Sequence, residues 1–149
     1  MRKRGAGAAG GRSRWVSRIG SGLVLVGGLG GLIAVLLFTQ SYLASAYPEL
    51  RLAPDLITLE VLDARVSGFR SLETQAAGFL LSCLLALATA IEPSSRLGGV
   101  VVLLLGTVLT IVSLFGGFSV GGYTLYGAMG VLAGGMLLVA ARWESSRSA

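Results

Sequence analysis

The sequence contains no histidine and only one cysteine, and 13% of its 149 residues carry a charge. Without histidine and with a single thiol, the chain alone cannot assemble the usual zinc and haem sites or a Cys/His nucleophile. A lone cysteine also excludes an internal disulfide, and Cys83, inside an apolar run, is interpreted as a small buried hydrophobe. We therefore expect no metal, no cofactor and no enzymatic activity.

The scarcity of charge predicts an integral membrane protein. An average soluble domain has about 25% charged residues, whereas this chain has 13%. The chain is also 54% hydrophobic, and a water-soluble fold of this size cannot bury so much apolar surface. The formal net charge is +5, and six of the twelve Lys and Arg residues lie in the first eighteen positions. That clustering is typical of a topology signal in contact with lipid headgroups, and we expect no nucleic-acid partner.

One run without charge dominates the chain. The residues between Arg96 and Arg142 are uncharged and number about twice the 20 that one membrane-spanning helix needs. A glycine cluster at 116–122 interrupts the run and indicates that it folds back on itself. Since a spanning backbone must satisfy its hydrogen bonds internally, and no strand-length repeat suggests a barrel, we predict an all-α fold. Its four transmembrane helices are predicted at 19–38, 75–91, 97–115 and 123–141.

Three polar segments remain. Residues 1–18 are basic and rich in Gly and Ala, and we expect them to be disordered. Residues 39–74 are predicted to form an outer loop; its periodicity fits both a strand and a helix, and we favour a helix along the membrane surface. Residues 142–149 form a short tail. Residues 44–46 resemble a signal-peptide cleavage site, but the preceding apolar run is longer than a signal peptide requires, so we expect no cleavage.

The distribution of basic residues predicts the orientation. With four spans, one side of the membrane receives both termini and the turn after the second span, with nine of the twelve basic residues, and the other side receives three. The positive-inside rule then places both termini in the cytoplasm, in a plasma (inner) membrane protein. Trp15 and Trp143 fall at the cytoplasmic interface in this arrangement, which agrees with the preference of Trp for interfaces.

The candidate functional residues are few. Glu73 lies at the boundary of the second span, where a carboxylate is either a functional group or a headgroup-level residue that faces water. Because the spans carry little else that is polar, we expect an accessory subunit packed against larger membrane subunits rather than a stand-alone carrier. Four glycines spaced as GxxxG pairs are predicted to allow close helix packing: Gly27 with Gly31, and Gly130 with Gly134.

A set of motifs in the polar segment also indicates a family. They are Tyr47-Pro48, the run from Asp55 to Arg65 with its ending Asp63-x-Arg65, Gly68-Phe69, and Leu72-Glu73 leading into a span. Residues 41–90 thereby resemble the C-terminal module of the large subunit of Mrp-type multisubunit Na+/H+ antiporters, which is also found as a small subunit of membrane-bound hydrogenases. Arg70-Ser71 stands where that module has Asp-Thr.

The resemblance implies a small accessory subunit of an ion-translocating complex, of the cation/proton antiporter or a related respiratory type. Glu73 would be the carboxylate nearest the ion path, and Asp63 and Arg65 would structure the outer loop. The alternative is a membrane scaffold or assembly protein that transports nothing and is held together by its glycine-rich helices.

Overall fold

A computed structural model of the chain describes residues 6–46, 69–91, 96–115 and 122–147, all of them helical. Each helix contains a stretch long and apolar enough to cross a membrane. The predicted all-α protein with four helices of membrane-spanning length is thereby confirmed for the described residues. The helices are α1 (Ala6–Ala46), α2 (Phe69–Ile91), α3 (Arg96–Phe115) and α4 (Gly122–Arg147).

The sequence of α3 illustrates why the helix is the local solution. Fifteen of its twenty residues are Leu, Val, Ile or Gly, and in a bilayer its backbone has no water with which to form hydrogen bonds. The hydroxyl groups follow the same rule. Thr107 donates to the carbonyl oxygen of Leu103 at 2.9 Å and Thr110 to that of Gly106 at 2.7 Å. Both threonine side chains are therefore satisfied one turn back on their own helix.

The helices form a bundle in the order α1, α2, α3, α4 and back to α1, and the contact between α1 and α4 is the most extensive. Neighbouring helices are antiparallel. Gly20 approaches Leu138, whereas Gly31 approaches Gly127, so the start of α1 and the end of α4 lie together. We call this end of the bundle the arginine end and the opposite end, where α2 and α4 begin, the Glu73 end.

A glycine seam joins α1 to α4. We define it as Gly20, Gly27 and Gly31 on α1 with Gly127, Gly130 and Gly134 on α4. A Cβ added at Gly27 would lie 2.7 Å from the backbone oxygen of Gly127, and one added at Gly134 would lie 2.6 Å from that of Gly20. The two backbones thus touch where only glycine fits. In lipid, where apolar side chains gain little by leaving the solvent, such close packing is a main source of helix association.

Phe79 fills the other side of α1. Its side chain is completely buried, and a Cβ at Gly31 would collide with its ring. The neighbouring Gly28 on α1 faces Cys83, which lies on α2 like Phe79. Glycines also permit the approach of α3 to α4, since a Cβ at Gly106 would lie 2.7 Å from the backbone nitrogen of Leu132. Glycine therefore permits close packing between α1 and α2 and between α3 and α4.

The helix ends differ from the sequence-based expectation. We expected residues 1–18 to be disordered and 39–74 to form a loop, but α1 extends from Ala6 to Ala46 and α2 begins at Phe69. The physical reason at the start of α1 is that the chain has Ala, Arg and Ser there and no proline, so a helix already formed in the span can propagate outward. The predicted surface helix of the polar loop falls mostly in residues 47–68, outside the described residues.

Candidate functional site

Glu73 lies one turn into α2, at the Glu73 end of the bundle, and its side chain is exposed. The adjacent Leu72 is buried, which shows that α2 turns Glu73 away from the other helices. Glu73 is thus at the edge of the membrane-spanning stretch Leu72–Ile91, on a surface that water, lipid headgroups or another protein can reach. Asp63 and Arg65, which we predicted to structure the outer loop, lie outside the described residues.

The four glycines predicted to pack all lie on the seam between α1 and α4. A Cβ at Gly130 would lie 3.0 Å from the Cα of Gly27, and Gly31 is in backbone contact with Gly127. Spacing alone did not indicate Gly20, Gly106 or Gly127. Their importance depends on which helix lies opposite, and nothing in a single helix records that.

A buried polar group that the sequence analysis did not single out is Gln75. Its side chain is 2% exposed, and its Oε1 atom has no hydrogen-bond partner among the described residues. Sequence reasoning placed it as the first residue of a span, where an amide reaches water. Because α2 begins six residues earlier, at Phe69, the amide instead lies inside the bundle. The sequence did contain one signal of this burial. Gln75 follows Glu73 by two residues, which places the two side chains on opposite faces of a helix.

Two hydroxyl groups lie buried at a similar level. Ser113 on α3 and Thr124 on α4 form a hydrogen bond of 3.0 Å between their side-chain oxygens. Gly78 packs against Leu109, so one turn of about 5 Å towards the Glu73 end leads to Gln75 on α2 and to Ser113 on α3. At this level the bundle therefore contains a neutral polar layer of two hydroxyls and an amide, none of which can take up a proton near neutral pH.

The arginine end contains a cleft between α1 and α2 with a volume of about 300 Å³. Arg14, Ser17 and Arg18 line its mouth, and Leu25, Ala86 and Leu87 line its deeper part. Ser21 and Thr89 connect the two helices at its base through side-chain oxygens 3.3 Å apart. Thr89 donates its proton to the carbonyl oxygen of Ala86 at 3.0 Å, so Ser21 is the donor between the two hydroxyls.

The two tryptophans lie at the same end. Trp15 is 70% exposed on α1 and Trp143 63% exposed on α4. They are at one level, because Gly20 lies against Leu138 and each Trp is five residues further out along its helix. Tryptophan prefers the membrane–water interface, so this pair indicates the level of the headgroups at the arginine end.

The chain matches no known family model, no curated protein and no solved structure.

Proposed function

We propose that this chain is a small, non-catalytic accessory subunit that packs against larger subunits of a membrane complex. The observation that carries the proposal is the glycine seam, since backbone contact between α1 and α4 makes the bundle a rigid unit. The outward faces of all four helices present large apolar side chains, among them Leu36, Leu84, Leu104 and Met136. A rigid bundle with such faces is suited to hold neighbouring helices in register.

The class of complex follows from the resemblance of residues 41–90 to the Mrp-type module. On that basis we propose an ion-translocating complex, of the cation/proton antiporter or a related respiratory type. Glu73 supports this choice in one respect: it is exposed at the edge of a span, where a partner subunit can reach it. Any ion path that uses this carboxylate would lie between the two proteins rather than inside this bundle.

We further propose that the arginine end faces the cytoplasm of a plasma (inner) membrane. Arg14, Arg18 and Arg142 lie at that end, next to the two tryptophans, and the positive-inside rule places such residues in the cytoplasm. The Glu73 end would then face outward, together with the polar segment at 47–68.

Co-purification tests the subunit proposal. The tagged full chain, extracted from its native membrane in mild detergent, is expected to bring larger membrane subunits with it, identified by mass spectrometry. The same seam also supports the scaffold alternative, because a rigid bundle can hold other proteins in place without conducting ions. Recovery of the chain alone, as a homo-oligomer, would contradict the subunit proposal and leave the scaffold.

Substitution of Glu73 tests the ion-path proposal separately. Glu73→Gln removes the charge and keeps the shape, and we expect it to reduce sodium/proton antiport in membrane vesicles severalfold, because a neutral amide at the proposed ion path can neither attract a cation by its charge nor exchange a proton. Glu144→Gln is the matched control: Glu144 is also exposed but lies at the arginine end, and antiport should be unchanged. Equal activity of both variants would remove Glu73 from the ion path even if the chain co-purifies with an antiporter.

A further inference from the structure

The cleft between α1 and α2 at the arginine end has two chemically different parts. At its mouth, Arg14 and Arg18 are one helical turn apart on α1, and both are exposed. Its deeper part is formed by Leu25, Ala86 and Leu87. From Arg18 to Leu25 the cleft extends about 10 Å along the axis of α1. A ligand that fills it must therefore be anionic at one end and apolar at the other.

The level of the cleft in the membrane supports the same conclusion. Trp15 lies between the two arginines in sequence, and with Trp143 it indicates the headgroup level at this end. The mouth is thus where lipid phosphates lie, and the apolar part is where acyl chains begin. Among the described residues that line the cleft, none is a carboxylate, so its lining carries a charge of +2.

The buried hydroxyl groups of Ser21 and Thr89 form the floor of the cleft and do not bind the anion. Ser21 and Thr89 are 7% and 2% exposed, and their protons are committed to Thr89 and to the carbonyl oxygen of Ala86. Recognition of a phosphate therefore falls to the guanidinium groups and to Ser17 at the mouth. Arginine suits this role, because its fork of N–H donors matches phosphate oxygens.

We propose that this cleft is a binding site for one anionic glycerophospholipid, with the phosphate at Arg14 and Arg18 and an acyl chain against Leu25 and Leu87. Basic pockets between transmembrane helices at the headgroup level are suited to such headgroups. The proposal is independent of the proposed function, since it concerns the chain and its lipid alone.

Native mass spectrometry of the purified full chain in mild detergent tests the proposal. The probes are phosphatidylglycerol and phosphatidylcholine with identical acyl chains. We expect one phosphatidylglycerol per chain, bound roughly ten- to thirtyfold more tightly than phosphatidylcholine, from two basic residues at the headgroup level. Equal binding of the two lipids would overturn the proposal, as would displacement of the lipid by millimolar inorganic phosphate, which would indicate a free-anion site.

Two variants separate charge from shape. The double variant R14Q/R18Q should lose the preference for the anionic lipid, whereas K3Q/R4Q, which removes the same charge ahead of the described residues, should keep it.

Gly22 lines the cleft and has open space where a side chain would stand, so Gly22→Leu should exclude the lipid with every charge in place. Gly30→Leu, also in open space on α1 but outside this cleft, is its control. Retention of the preference in R14Q/R18Q, or of lipid binding in Gly22→Leu, would each refute the site.

Discussion

Replacing Gly127 by alanine is expected to lower the free energy of unfolding of the bundle by about 1–3 kcal/mol, the usual cost of overpacking. The new methyl group would lie 2.7 Å from the Cα and backbone nitrogen of Gly31 and 2.8 Å from the backbone oxygen of Gly27. These are backbone atoms, so no side-chain rotation can relieve the collision and α1 must move away from α4. Thermal unfolding followed by circular dichroism in one mild detergent measures the change.

Glycines in open space provide the control. A Cβ at Gly30 would meet nothing within 4 Å, so Gly30→Ala should leave stability unchanged or raise it by up to about 1 kcal/mol through helix propensity. Gly130→Ala should be intermediate, because its Cβ would lie 3.0 Å from the Cα of Gly27. Equal stability of the Gly127 and Gly30 variants would contradict a seam that depends on the absence of side chains.

Replacing Gln75 by methionine is expected to stabilise the protein by about 1–3 kcal/mol, the cost of leaving a buried polar atom without a hydrogen bond. Methionine has an unbranched stem of similar length and removes the amide, whose Oε1 atom has no partner among the described residues. The increase should appear in the same thermal unfolding measurement.

An exposed glutamine serves as the reference for that change. Gln40 lies near the end of α1 with its side chain exposed, so Gln40→Met should change stability by no more than about 0.5 kcal/mol. If Gln75→Met instead destabilised the bundle, the Oε1 atom of Gln75 would have a hydrogen-bond donor such as water when the protein is in the bilayer. The polar layer with Ser113 and Thr124 would then be hydrated, and it would not lower the stability of the fold.

The positions of the spans were predictable because the thickness of a bilayer imposes the length of an apolar run. The uncharged run at 97–141 and its glycine interruption led directly to two helices, and α3 and α4 occupy those residues. Helix ends were less predictable. Nothing in the composition of residues 6–18 distinguishes a solvated chain from a helix extended out of the membrane, because the decision depends on the span to which they are attached.

The contacts between helices could be predicted only in part. GxxxG spacing pointed to Gly27 and Gly31 because it is a property of one helix. Which helix lies opposite is not a property of one helix, and for this reason Gly127 on α4 was missed. The same limit applies to Ser21 and Thr89, which are far apart in sequence and meet only because α1 and α2 are antiparallel in one register. Register depends on packing, which is absent from any local pattern.

The length of α1 has a mechanical consequence. With 41 residues, the helix is about 60 Å long, whereas a bilayer with its headgroups measures about 40–45 Å. The helix is thus at least about 15 Å longer than the bilayer is thick, and the glycine seam packs it against α4. A force applied to this extra length of α1 would be transmitted to α4 through the backbone contacts of the seam, without contact to any lipid-facing residue.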